Sequence, residues 1–226
     1  MKTHIPFGHV IGETTLDDYD FTDLQNDPRF TLGFDQKDKP QFKELAKKYE
    51  RTTPIELIEE TQRILENYPD LKELIECSFN LFIYDIYGWD YKCKVTTSWI
   101  TTLTEGDRVH PHNHNNCFYS GILYFGEYYD NKTNLVLLNP LSQTMRYLLP
   151  NNDLGDGRKG NVQIDDYELS AFTGAMYFWP SQIWHATMPL PHDKVRKSLA
   201  FNFVPTANLY AGDSSLYTEW ITNQNF

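Results

Sequence analysis

From about residue 92 onward, short apolar segments rich in β-branched and aromatic residues follow one another with no helical pattern between them. KCKVTTSWITTLT, FYSGILYFGEYY, NLVLLN, TMRYLL, DYELSAF, AMYFWP and KSLAFNFVP are cut apart by Gly, Pro, Asn and Asp. Side chains of this kind fit a pleated, half-buried surface, and the turn residues supply the reversals. A parallel sheet needs a crossover connection, usually a helix, between successive strands. The pattern therefore predicts an antiparallel sandwich or barrel.

The first 91 residues read differently. Residues 1–12 predict an initial strand, and the polar, acidic and aromatic stretch 13–40 predicts mostly loop. Thr53-Pro-Ile-Glu56 has the form of a capping box with proline at the first helical position, leading through Ile55, Ile58 and Leu65. Asp70–Glu73 opens a second helix, with Leu71, Leu74, Ile75, Phe79, Phe82 and Ile86 at helical spacing and Gly88 as its stop. Such a stripe is a packing face. The expected architecture is mostly β with α support: a double-stranded β-helix, or cupin-like jelly roll, with the N-terminal helices packed on one face. At 226 residues the chain is long enough for one substantial core. It is read as a single domain over 1–226, with a supporting region (1–91), the jelly roll (92–205) and a tail (206–226).

Twenty basic against 31 acidic residues give a formal charge of −11, which argues against nonspecific binding to nucleic acid or an anionic membrane. Cys77, Cys93 and Cys117 form no CxxC pair, so neither a disulfide framework nor a zinc knuckle is expected. The N-terminus lacks the apolar core of a signal peptide, and no apolar run approaches membrane-spanning length. A soluble protein of a reducing cytoplasm is the expectation.

The chemistry concentrates in the run His110-Pro-His-Asn-His114, in the later His185, and in Arg196-Lys-Ser198. Imidazole is the commonest protein metal ligand, so a clustered pair and a distant third suggest one ion held between strands. In an extended segment residues i and i+2 face the same way, about 7 Å apart, whereas i and i+4 are about 13 Å apart. The run therefore offers one chelating pair, His110/His112 or His112/His114, and His112 belongs to both. The second choice lies nearer the apolar strand Tyr119–Phe125 and leaves His110 at the mouth of the site. Arg196 and Ser198 share one face of a strand that continues as LAFNF. An arginine in such apolar surroundings needs an anionic partner, either an acidic side chain or a ligand's carboxylate. By the same parity Asn202 faces the same way. Trp99, Tyr119, Tyr124 and Trp184 are candidates to line a pocket.

HNHNNCFYSGILYF, FWPSQIWHATMPL and RKSLAFNF resemble, in order and spacing, the iron(II)- and 2-oxoglutarate-dependent oxygenase superfamily. More narrowly, they resemble a bacterial and phage group with H-x-H, S-G-hydrophobic-Y, F-P-S-x-x-x-H and R-x-S-x-x-F-N signatures. The resemblance spans roughly residues 92–205. It implies His112 and His185 as iron ligands on facing strands. It also implies Arg196 and Ser198 as the holders of the distal carboxylate of 2-oxoglutarate, with Tyr124 within reach. The implied reaction uses O2, converts 2-oxoglutarate to succinate and carbon dioxide, and hydroxylates an unactivated C–H bond in a small-molecule or peptidyl substrate. The oligomeric state is left open, a homodimer included, and a phage-encoded chain would work in its host's cytoplasm.

One position departs from that pattern, because His114 stands where the superfamily carries a carboxylate. A third imidazole can take the place, giving His112, His114 and His185 as ligands, or water can complete the shell. Glu105, Asp107 and Glu127 are nearby carboxylates at the wrong spacing. Two competing readings follow. Gly106-x5-His112-x-His114 and Gly174-x5-Pro180 also resemble parts of the cupin motifs, although Phe118 and Tyr119 stand where a cupin glutamate is expected. A three-histidine cupin dioxygenase would need no Arg196-x-Ser198. The last reading is a non-catalytic β-sandwich module whose histidines hold no metal, or a structural one with His110 available as fourth ligand.

Overall fold

The computed structural model describes residues 1–4, 8–27, 62–103, 105–126, 134–139, 166–190 and 195–206. Nine strands are present among them: β1 (Lys2–His4), β2 (Ile11–Thr15), β3 (Cys93–Leu103), β4 (Tyr119–Tyr124), β5 (Leu135–Leu137), β6 (Tyr167–Leu169), β7 (Ala175–Pro180), β8 (His185–Thr187) and β9 (Arg196–Pro205). A short helix α1 (Thr22–Gln25), a 3-10 turn (Ile64–Asn67) and a long helix α2 (Pro69–Tyr87) complete the elements. Six strands form a large sheet in the order β1-β2-β7-β4-β9-β3, and three form a small sheet in the order β6-β5-β8. Every ladder is antiparallel. From β3 on, the chain passes from one sheet to the other and back, which is the winding of a jelly roll.

Strand parity divides the large sheet into two faces. One buries Leu123, Met176, Phe178, Leu199, Phe201 and Phe203 against Leu71, Ile75, Phe79, Phe82 and Ile83 of α2. Phe79 stands at the centre, stacked on Phe203 at 3.9 Å and edge-on to Phe178 at 5.3 Å. The helix fits because Pro69 occupies its first turn and Gly88 ends it at φ +65, with the Gly88 N–H bonded to Tyr84 O. Two glycines let the layers close. A Cβ on Gly121 would run into the Phe201 ring, and one on Gly12 would lie 3.0 Å from Phe82. The opposite face packs Ile122, Tyr124, Tyr177 and Trp179 against Leu135, Leu137 and Leu169 of the small sheet.

A β-bulge at Thr96 sets which side chains of β3 face inward. Val95 pairs with Phe203 and Thr97 with Asn202, so Thr96 is the extra residue. Cys93 and Val95 face α2, but beyond the bulge Ser98 and Ile100 do, and Thr97, Trp99 and Thr101 turn to the inner face. Bulges re-aim side chains in this way. Helix α2 clamps the strand on the N-terminal side of the bulge. Asn80 Oδ1 accepts from the Cys93 N–H, its Nδ2 donates to Cys93 O, and Glu76 Oε1 accepts from the Val95 N–H.

Several expectations are corrected. The initial stretch 1–12 is two strands of a hairpin rather than one. Of the stretch 13–40, residues 28–40 lie outside the described residues; in the rest the loop is interrupted by Glu13–Thr15, where pairing of β2 along β7 overrides a polar composition, and by α1. Leu74 is exposed, because the packing face of α2 is narrower than its apolar spacing suggested. The segments TMRYLL and Thr53–Glu56, with Ile55 and Ile58, lie outside the described residues, as does the tail beyond Thr206. Leu65 sits in the 3-10 turn, not in an α-helix. No helix among the described residues is long and apolar enough to cross a membrane.

Candidate functional site

The site lies on the inner face, where the segment around His112 closes against β8. His112 and His185 are direct cross-strand partners, with the His112 N–H bonded to His185 O at 3.1 Å and the His185 N–H to His112 O at 2.8 Å. The His114 N–H donates to Ser181 O, which holds the run against the turn before β8. These backbone bonds bring three imidazoles together. The ring centroids of His112 and His185 are 4.2 Å apart, and His114 is 5.1 Å from each. One ligand nitrogen from each of the three lies within 4.8 Å of the others.

The Nδ1 of every ring is already engaged. His112 Nδ1 lies 2.8 Å from His110 O, and His185 Nδ1 lies 3.0 Å from Ile183 O. A carbonyl only accepts, so both Nδ1 atoms carry a proton, which in a neutral ring leaves the lone pair on Nε2. His114 Nδ1 lies 2.8 Å from Asn202 Oδ1 and 2.9 Å from Ser120 Oγ. Burial lowers the pKa of His114, and His112 lowers it further against the raising effect of Asn202. Burial, then the neighbouring His112, pushes His185 down to about 3. Both are held neutral, which is the form that binds a metal. His110 is exposed and outside the cluster, and no carboxylate belongs to it among the described residues. The donor set therefore fits one divalent transition ion, with coordination positions left over for other ligands.

The second group lies at the start of β9. Arg196 is 2 % exposed, its Nη1 donates to Ser198 Oγ at 3.1 Å, and its Nη2 donates to Tyr124 Oη at 3.3 Å. The guanidinium also lies over the Tyr124 ring, 5.2 Å from its centroid. Tyr124 and Ser198 are register partners on β4 and β9, as are Ser120 and Asn202 at the histidine end. Four residues, about 13 Å of strand, separate the two rungs. Between them Ile122 pairs with Ala200, an apolar floor.

All six predicted site residues thus fall on the same face, in two clusters. Trp99 joins them, half-buried with its ring 5.6 Å from His114. Two proposed pocket residues do not. Tyr119 faces α2, where its ring meets Phe79 and its hydroxyl meets that of Tyr87. Trp184 precedes β8 with the opposite parity to His185 and is 50 % exposed. Sequence reasoning gave no role to Ser120, Ser181 or Cys117, which form a hydrogen-bonded chain behind His114. Both serines were visible as letters of the S-G and F-P-S motifs.

Residues 97–202 match the model of the protein family described as "Putative 2OG-Fe(II) oxygenase". No curated protein matches the sequence. Among solved structures the chain is similar to a 2OG-Fe(II) oxygenase family oxidoreductase from Burkholderia pseudomallei, at 14 % identity and a TM-score of 0.41, covering 59 % of this chain and 55 % of that one. It is similar to HygX from Streptomyces hygroscopicus with nickel and 2-oxoglutarate bound, at 9 % identity and TM-score 0.44, covering 65 % and 71 %. A third is a Pseudomonas putida prolyl-4-hydroxylase, at 15 % identity and TM-score 0.35, covering 55 % and 59 %. The chain spans little more than half the length of the Burkholderia protein and of the prolyl hydroxylase. The matched segment holds both clusters of the site, and the family it matches is the one its motifs resemble: the 2OG-Fe(II) oxygenases.

Proposed function

We propose that the chain is an iron(II)- and 2-oxoglutarate-dependent oxygenase that hydroxylates an unactivated C–H bond. The observation that carries this reading is the set of three imidazoles whose Nδ1 atoms are all committed to protein oxygens. His112, His114 and His185 hold the metal through Nε2. Arg196, Ser198 and Tyr124 hold the distal carboxylate of the cosubstrate, a planar fork beside two hydroxyls being suited to that group. Ile122 and Ala200 form the apolar floor between the two clusters. Iron(II) with 2-oxoglutarate supplies the chemistry, in which oxidative decarboxylation by O2 is coupled to C–H hydroxylation. The protein supplies placement and dryness. The inner face orients the ligand rings, buries the guanidinium and excludes water with Tyr177 and Trp179, which are 3 % and 2 % exposed. The free thiols of Cys77, Cys93 and Cys117 accord with a reducing cytoplasm.

The test is succinate release from 2-oxoglutarate by protein loaded anaerobically with iron(II) and then given O2. Arg196→Ala is expected to lose this turnover while keeping metal binding, because the two clusters are separate. A three-histidine dioxygenase of cupin type shares the metal site and has no use for Arg196. If 2-oxoglutarate is neither consumed nor able to perturb the iron spectrum, that second reading replaces the first.

A further inference from the structure

A carboxylate offers two equivalent oxygens to a metal, whereas an imidazole must first have its proton on the far nitrogen. A histidine in a carboxylate's place therefore needs a device that fixes its tautomer. We infer that Asn202 is that device: its amide oxygen keeps the His114 proton on Nδ1 and turns Nε2 toward His112 and His185. The inference rests on the reading that the three histidines bind a metal, and it assigns a positioning role to a residue that does not itself touch the ion.

The proton count supports it. Ser120 Oγ donates to Asn202 Oδ1 at 2.9 Å, so its one hydrogen is spent. Ser181 Oγ, 3.0 Å from Ser120 Oγ, then donates to Ser120, and Cys117 Sγ donates to Ser181 at 3.0 Å. Burial raises the pKa of Cys117, so it stays a thiol and keeps that hydrogen. Each donor in the chain points toward Asn202 Oδ1. With Ser120 committed, a bare His114 Nδ1 would set its lone pair against the amide oxygen 2.8 Å away. A protonated Nδ1 makes a hydrogen bond of the same contact. The amide is in turn held by Nδ2, which donates to Thr97 Oγ1 at 2.9 Å. Thr97 faces inward only because the bulge at Thr96 has reversed the parity of β3. The bulge, Thr97, Asn202 and His114 form one line from backbone geometry to a ligand nitrogen.

The test uses the metal-free protein with 15N-labelled histidine, and cobalt(II) as the metal probe. Long-range 1H–15N correlation spectra of the wild type are expected to show His114 protonated at Nδ1. Asn202→Leu is expected to move that proton to Nε2 and weaken cobalt(II) binding about 10–100-fold, the usual cost of losing such an outer partner. Asn202→Asp keeps an acceptor oxygen in place and should restore both the tautomer and most of the affinity, which a merely structural role for Asn202 would not do. Wild-type His114 protonated at Nε2 overturns the inference without any variant. Cobalt(II) affinity unchanged in Asn202→Leu but lost in His114→Ala overturns it too, while leaving the three-histidine reading standing. Unchanged affinity in His114→Ala would instead remove that reading, and the inference with it.

Discussion

The two faces of the large sheet are built from the same strands by different means. Toward α2 the buried residues are aromatic and aliphatic, and Phe79 touches rings from β4, β7 and β9. Toward the small sheet the same strands bury Ser120, Ser198 and Arg196, and Asn202 lies half-buried among them. One face is held by filled volume, which is non-directional. The other adds to its own apolar cluster donors and acceptors that must match one by one, since an unpaired buried polar group costs about 1–3 kcal/mol. The difference teaches that stability and chemistry can be perturbed separately, although both rest on alternate residues of β4, β7 and β9.

The largest expected effect breaks the comparison from the apolar side. Phe79→Ala removes the ring at the centre of the helix-facing cluster and should cost about 3–5 kcal/mol of folding stability. Folded Phe79→Ala should nevertheless bind cobalt(II) within a few-fold of the wild type. Denaturant unfolding and a metal titration on the same sample check the pair. A proportionate loss of affinity would mean that the faces are coupled.

A smaller effect sharpens the comparison from the polar side. His114 and His185 have folded-state pKa values below the ordinary 6.5, so below that pH the unfolded chain binds protons that the native site refuses. Their contribution to stability is whole above about pH 6.5 and is lost as pH falls below it, for His185 until pH reaches about 3. The slope is about 1.4 kcal/mol per pH unit for each such group. The helix-facing side carries Cys93, pushed up to about 12, and Tyr119, also raised by burial; these stay neutral in acid and matter only in alkali. Acid unfolding of the metal-free protein should therefore report on the inner face. His185→Gln, which cannot gain the proton, should flatten the acid limb. An unchanged limb would place its origin elsewhere.

Much of this division is legible in the sequence. Periodicity and Gly88 give α2, the apolar runs give β4, β7 and β9, and strand parity puts Arg196, Ser198 and Asn202 on one face. Three features are hidden, each for a physical reason. The extra residue at Thr96 reverses the parity of β3, and nothing in a row of β-branched letters marks where a bulge falls. The choice between histidine pairs depends on His114 meeting Asn202, a contact across 88 positions that no local pattern encodes. The outward Trp184 and helix-facing Tyr119 were drawn to the site by their chemistry, and only their register partners or parity sends them elsewhere. The letters identify the groups; the ladders decide which of them meet.

The central claim is that three imidazoles and no protein carboxylate hold the metal. X-ray absorption spectra of the cobalt(II)-loaded protein test it most directly, because imidazole rings give outer-shell scattering that counts them. Three imidazoles, falling to two in His114→Ala, is the predicted result. Two imidazoles with a protein carboxylate in the wild type, unchanged in His114→Ala, would contradict it.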